Sequence, residues 1–272
     1  MQHREFEPPE ELRDSIKCLW YNSRDFGEKQ SSFEVLPDGY AEIIFYFGRL
    51  ASPSYNDGLQ PLPSPFMMGL LNKPALFTAS NRLEIIGVRC YPWAVFDLLG
   101  LPSGTDRVRT LEHPIAQLQS ALDACVRADR VDEALDRVKH YLLNARSLVA
   151  IDSTLFKAGV AMNKASGTMP VSEIAAKADA TVRTLQRRFK QSSGYTVKDV
   201  SSLMRFERVR NQLWLHPDSN LVDLAHEVGY ADQSHLSKEF KRYSGTTPAA
   251  FARKAKRRKQ AVSEDFVAFI QA

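Results

Sequence analysis

Between Leu185 and Pro248 the chain carries one short pattern twice, LQRRFKQSSGYTV and LSKEFKRYSGTTP. Leu185 and Leu236, Phe189 and Phe240, Lys190 and Lys241, Ser193 and Ser244, Gly194 and Gly245, and Thr196 and Thr247 all pair at an offset of 51 residues. Identity at six positions with a single offset implies one supersecondary unit used twice. Each copy reads as a short helix, a tight turn and a second helix. In the first, Val171, Ile174, Ala175 and Ala178 form an apolar stripe, Ala178-Asp179-Ala180 makes the turn, and Thr181 caps a helix running to about Ser192. In the second, Leu221, Leu224, Ala225 and Val228 form the stripe, Gly229 makes the turn, and Asp232 caps a helix to about Tyr243. Small Ala175 and Ala225 stand where two helices cross closely, so both units, about 171–193 and 221–244, read as helix-turn-helix.

The second helix of each unit turns an apolar side inward, Leu185 with Phe189 and Leu236 with Phe240. The other side carries Arg183, Gln186 and Arg187 in the first unit and Ser234, Ser237 and Lys238 in the second. Arg and Gln near the start of such a helix suit base edges, because Arg can hold guanine and Gln adenine with two hydrogen bonds. Arg188, Lys190, Lys241 and Arg242 are better placed for phosphates, with Thr181, Gln233 and Ser237 as further phosphate candidates. Between the units, residues 196–215 contain no Gly or Pro and read as one helix. About 20 residues at ~1.5 Å each span ~30 Å, close to the ~34 Å of one DNA turn, so a single copy of the chain could read two adjacent half-sites.

Charge divides along the chain in the same way. Residues 151–272 carry 20 Lys and Arg against 12 Asp and Glu, a net +8, whereas residues 1–150 carry 16 against 20, a net −4. A basic half attached to a mildly acidic one points to a polyanion partner for the first alone. Cys18, Cys90 and Cys125 are odd in number and far apart, which removes a disulfide framework and a CxxC zinc site and fits a reducing compartment. The polar start MQHREFEPPEELRD and the lack of any long apolar run lead us to expect a cytoplasmic protein with no membrane partner.

The acidic half alternates short apolar runs with turn signals. AEIIFYFG, after the turn Pro37-Asp38-Gly39, reads as a strand ended by Gly48; Leu83 to Cys90 (LEIIGVRC) is a second strong strand; FMMGLL and ALFTA are shorter ones, and Ala51 to Pro65 is a loop. Many short strands with Gly and Pro turns predict a small barrel or jelly roll. After Pro114 the period becomes helical, with Ile115, Leu118, Leu122 and Val126 and then Val131, Leu135, Val138 and Leu142 forming a helix pair that either mediates dimerisation or braces the barrel. Another helix covers about 151–164. The predicted fold class is α+β in two domains: a mainly-β barrel-like sensor or association domain with its helix pair over 1–148, and an all-α double helix-turn-helix domain over 149–272. Phe266, Phe269 and Ile270 have helical spacing and form a candidate docking tail.

Residues 172–253, most specifically DLAHEVGYADQSHLSKEFKRYSGTTPAAFAR from Asp223, resemble the AraC/XylS family of bacterial transcriptional regulators. The resemblance implies two recognition helices in adjacent major grooves, with base-reading positions at Arg183, Gln186 and Arg187 and at Ser234, His235 and Lys238. Asp179 stands where the family often has Gly, and Lys238 where it often has Arg; Lys lacks the planar fork with which Arg holds guanine. The acidic half more weakly resembles the small β-barrel sensor domain found ahead of such modules. Partners implied are double-stranded promoter DNA, RNA polymerase, a small-molecule effector and a second copy of the chain, with no cofactor.

Glu42 and Arg89 interrupt apolar strands, on faces shared with Tyr46 and Tyr91 respectively. With Trp93 these five are candidate effector ligands, although the reading favoured for Glu42 and Arg89 is a structural ion pair or side chains that simply face solvent. Only His3, His113 and His140 occur in the first 150 residues, too few and too scattered for a metal-binding barrel, and Cys90 reads as a core thiol. The expected function is a sequence-specific regulator and not an enzyme. An architectural DNA-bending protein and a DNA-tethered enzyme are the alternatives, the latter lacking any metal-bound cysteine cluster, Ser/His/Asp set or phosphate loop.

Overall fold

The fold is that of a computed structural model, which describes residues 2–53, 58–101, 103–148 and 152–260. The tail residues Phe266, Phe269 and Ile270, and Ile151 at the start of the expected helix 151–164, lie outside the described residues.

Among the described residues, eight antiparallel strands form the N-terminal sheet: β1 (Gln2–Phe6), β2 (Ile16–Asp25), β3 (Ser31–Val35), β4 (Ala41–Pro53), β5 (Leu59–Pro61), β6 (Phe66–Met68), β7 (Ala75–Cys90) and β8 (Val108–Thr110). Their order is β1-β2-β7-β4-β6-β8, with β3 paired to β7 and β5 to β4. The ends of this path do not pair with each other, so the sheet is open and the expected barrel is only an approximation to it. Two expected strand ends are also corrected. β4 runs through Gly48 instead of stopping there, and ALFTA and LEIIGVRC are one strand, β7, of 16 residues. The reason is a shared corner: Gly48 (φ +127°) sits at a register break in β4, opposite Arg82 and the left-handed Asn81 (φ +57°) of β7, and a Cβ on Gly48 would lie 2.6 Å from the Arg82 carbonyl oxygen.

Below that corner the central strands β2, β4 and β7 are buried on both faces, which is why they read as nearly unbroken apolar runs. Leu19 and Tyr21, Ile43 and Phe45, and Ile86, Val88 and Cys90 pack in one core with the helices α2 (Gln119–Arg127) and α3 (Val131–Ser147). Leu122, Val126, Val131, Leu135, Val138 and Leu142 are all buried there, so the apolar stripes of the helix pair brace the sheet. Trp20, Ile44 and Ile85 alternate to the other face and form a second core with Phe66 and Phe77. A single-turn helix, α1 (Val95–Leu98), follows β7.

The helical half comprises α4 (Ser153–Lys164), α5 (Val171–Lys177), α6 (Val182–Ser193), α7 (Val197–Leu215), α8 (Leu221–Glu227), α9 (Gln233–Ser244) and α10 (Pro248–Gln260). Its core contains Leu185, Phe189, Phe206, Leu236 and Phe240, and Leu36, Leu70 and Trp93 of the N-terminal half join the same core. No described helix is long and apolar enough to cross a membrane.

Candidate nucleic-acid interface

The geometry accounts for five of the six repeated residues without reference to any ligand. Leu185 and Leu236, with Phe189 and Phe240, are core. Ser193 and Ser244 donate back to the carbonyls of Phe189 and Phe240, at 2.7 and 2.8 Å, and stop the helices there. Gly194 (φ +77°) and Gly245 (φ +72°) take the left-handed turn, each N–H donating to the carbonyl of Lys190 or Lys241 at 3.0 Å. Thr196 and Thr247 then cap α7 and α10 by accepting from the N–H of Asp199 and Ala250. Helix core, stop, left-handed glycine and the next cap therefore form one device used twice. Only the side chains of Lys190 and Lys241 are left over; both are exposed, and neither has a side-chain partner among the described residues.

The repeat is not uniform upstream of this device. Ile174 and Leu224, Ala175 and Ala225, and Ala178 and Val228 are equivalent at an offset of 50. The turn hydrogen bonds Ala180 N–H to Ala175 O and Tyr230 N–H to Ala225 O keep that offset, so Ala231 is the additional residue of the second turn. Asp179 adopts the left-handed conformation (φ +50°) that Gly229 (φ +75°) adopts in the second unit, and its carboxylate meets Lys157 at 2.6 Å. Thr181 Oγ1 and Asp232 Oδ1 cap α6 and α9 by accepting from Thr184 N–H and His235 N–H, at 3.1 and 2.7 Å.

The side chains of Arg183 and Arg187 are exposed and that of Gln186 half-buried on α6; Ser234, His235 and Lys238 are exposed on α9. Except for His235, whose ring meets Tyr230 edge-on at 5.3 Å, none of these side chains has a partner among the described residues. Gln233 and Ser237 are unpartnered in the same sense, and Arg242 lies over the ring of Tyr243. Arg188 differs. Its guanidinium holds both carboxylate oxygens of Asp152, at 3.0 and 3.1 Å, and Asp152 is the N-cap of α4, so this cation is already committed to joining α6 to α4. Nothing in the sequence marked Asp152 beyond its being a capping residue type.

The far end of α6 and the adjoining α7 rest on the N-terminal half. Ser192 Oγ donates to the Trp93 carbonyl at 2.6 Å and bonds Asp97 at 3.0 Å, and Tyr195 Oη donates to the Leu70 carbonyl at 3.0 Å. Trp93 stacks on Tyr91 (4.9 Å between centroids, 12° between planes), packs against Phe189, and covers Gly159 of α4. Tyr91 and Trp93 therefore stand between the two halves. Arg210 of α7 is fully buried, donates to the Pro37 carbonyl at 3.1 Å, and lies 3.6 Å from Glu207. It occupies the helical phase of Phe206, Val209 and Leu213, so a lone cation on an apolar stripe was the available signal for it.

The turn at Asp38 connects this contact to the candidate effector residues. Arg89 lies directly opposite Glu42 in the β4–β7 ladder, its Nε donating to Glu42 Oε1 at 2.9 Å and its Nη2 lying 3.4 Å from Asp38. Burial pushes the Glu42 and Glu207 carboxyls upward in pKa, opposed by Arg89 at the first and Arg210 at the second. Glu42 and Arg89 thus form a buried ion pair, and both line a cavity on the second face of the sheet. Tyr46 packs against that core with its hydroxyl on the Leu62 carbonyl. Among the described residues no group of three or more His, Cys, Asp or Glu side chains is arranged to hold a metal ion.

Residues 174–254 match a helix-turn-helix domain family, and residues 4–111 match a domain of unknown function, DUF6597. The transcriptional activator RhaS of Klebsiella pneumoniae is 33% identical over 76 residues, covering 28% of this chain and 27% of the relative. The transcriptional regulator RipA of Corynebacterium diphtheriae is 34% identical over 82 residues, 30% of this chain and 24% of the relative. The chain thus spans about a quarter of the length of these curated relatives. Among solved structures, unsaturated fatty acid bound ToxT from Vibrio cholerae aligns with a TM-score of 0.47 at 11% identity, over 88% of this chain and 96% of that one. Residues 174–254, which hold both capped units, thus match an AraC/XylS-type helix-turn-helix domain, and residues 4–111 ahead of them match DUF6597.

Proposed function

We propose that this chain is a sequence-specific DNA-binding transcriptional regulator in which α6 and α9 enter successive major grooves of promoter DNA. The observation that carries this reading is the residue set the fold leaves unused: Arg183, Gln186, Arg187 and Lys190 on α6, and Ser234, Lys238 and Lys241 on α9, all without side-chain partners among the described residues. Arg183, Gln186 and Arg187 read bases in one groove, and Ser234, His235 and Lys238 read them in the next. Lys190, Lys241 and Arg242 hold phosphates, aided by Thr181, Gln233 and Ser237. The 19 residues of α7 span ~28 Å, which supports a separation near one DNA turn.

The division falls near residue 148, with the N-terminal half as the sensing and association part. An effector in its cavity would reach α7 through Arg89, Asp38, Arg210 and Glu207, making DNA binding ligand-responsive. RNA polymerase and a second copy of the chain complete the partners, and the protein acts by binding and not by catalysis. Selection from random DNA followed by Arg187→Ala tests the reading. The variant should lose ~1–3 kcal/mol on the selected site and relax its sequence preference at one position. Unchanged affinity and preference would contradict it.

A further inference from the structure

The cavity on the second face of the sheet has a composition that selects among ligand charges. It measures about 550 Å³ including its open mouth, room for a compact occupant. Trp20, Phe33, Phe66 and Phe77 supply aromatic wall, and the remaining wall is aliphatic except for three charged residues, Asp38, Glu42 and Arg89. The single cation is fully engaged. Arg89 donates to Glu42, lies 3.4 Å from Asp38, and stacks over the Tyr40 ring at 5.3 Å.

An anionic ligand would have to take Arg89 from two carboxylates and would leave Glu42 buried without its counter-ion, an expensive exchange. A neutral ligand would gain only apolar contact. With two carboxylates against one guanidinium, the cavity is formally one positive charge short, and its aromatic faces carry the negative side of the ring quadrupole.

We propose that the effector site of this chain takes a compact organic cation, an alkylammonium or arylalkylammonium group whose charge meets Glu42 and Asp38 and whose apolar body lies against Phe33, Phe66 and Phe77. The inference rests on the ligand-responsive reading above and supplies its ligand class. The cation completes the charge of the cluster while Arg89 keeps its place, and the turn that carries Asp38 contacts α7 through the Pro37 carbonyl, which accepts from Arg210.

Calorimetric titration of the full chain with three molecules of one shape tests this: benzyltrimethylammonium, 2,2-dimethyl-3-phenylpropan-1-ol and 2,2-dimethyl-3-phenylpropanoate. The cation should bind at least 10-fold more tightly than the alcohol, and the carboxylate should not bind detectably. Glu42→Gln should weaken the cation at least 10-fold. Because that variant also disturbs the Arg89 pair, Phe77→Leu, which leaves every charge in place, should weaken it several-fold independently. A carboxylate that binds as well as the cation, no binding of the cation at 10 mM, or folded variants with parental affinity would overturn the proposal. DNA affinity of the same preparation, measured without ligand, separates the two claims: loss of cation binding with intact DNA binding removes the ligand class and leaves the regulator reading, and the reverse result does the opposite.

Discussion

A methyl group added at Gly159 should weaken the protein, although alanine is the better helix former. Gly159 lies within α4, where replacing Gly by Ala ordinarily stabilises by ~1 kcal/mol. Here the added Cβ would lie 2.4 Å from both Cε2 and Cζ2 of Trp93 and 2.6 Å from its Nε1. Restoring an ordinary contact of ~3.5 Å needs a relative shift of ~1 Å. Trp93 has little freedom to supply it, being 3% exposed, stacked on Tyr91 and tied through its carbonyl to Ser192. Overpacking of this kind costs ~1–3 kcal/mol, so Gly159→Ala should destabilise by ~1 kcal/mol net. In a Trp93→Leu background the obstruction is gone, and the same substitution should stabilise by ~1 kcal/mol, a coupling of ~2 kcal/mol. Urea unfolding followed by far-ultraviolet circular dichroism measures all four corners of the cycle. If Gly159→Ala stabilised the parent, or had the same effect in both backgrounds, the close packing of α4 on the N-terminal half would be refuted.

Other consequences are simpler to measure. Lys190→Ala and Lys241→Ala should each leave stability within ~0.5 kcal/mol of the parent, yet weaken DNA binding on all sequences and lower the salt slope by ~1 in equilibrium titrations at several salt concentrations. Arg188→Ala should change DNA affinity less than Lys190→Ala, since its guanidinium holds the cap of α4, and as a half-exposed pair it should cost ~0–1 kcal/mol in urea unfolding. Ser193→Ala leaves the Tyr195 N–H, bonded at 3.1 Å in the parent, without its acceptor and should cost ~1–3 kcal/mol in the same assay. Burial raises the Cys18 thiol to about 12 and pushes Cys90 higher still. At pH 8 about 1 in 10⁴ Cys18 side chains would then be thiolate, so neither thiol should react with a disulfide reagent until the protein is unfolded.

The double unit was readable because its signals are local. Caps, stops and left-handed turns act within a few residues, so Thr181, Asp232, Gly194 and Gly245 announce their roles in sequence. The change of offset from 51 to 50 at Ala231 was equally visible, once Ile174 is set beside Leu224 and not beside Ala225. The sheet was less legible. Corner residues Gly48 and Asn81 resemble strand ends in sequence, since only the partner strand shows that β4 and β7 bend together and continue. An open sheet and a closed one also have the same alternation, which is why a barrel was expected.

Contacts between the halves were the least legible part. Trp93 and Tyr91 fit an effector site as well as an interface by composition, and what decides is the glycine at 159, some 66 residues later. Glu42 and Arg89 were correctly singled out as charges within apolar strands, but their third partner, Asp38, appeared in sequence only as a turn residue. Arg210 was missed because a basic residue in a helix of a basic domain raises no alarm unless its phase is compared with Phe206, Val209 and Leu213.

The central claim is that two reading heads are held one DNA turn apart by α7. It is tested most directly by measuring affinity, at one stated salt concentration, for a selected site and for the same site with five base pairs inserted between its halves. Five base pairs turn the second half-site to the opposite face of the duplex. The account predicts a loss of at least ~100-fold on insertion, as α9 loses its groove while α6 keeps its own. An affinity unchanged by the insertion would contradict it.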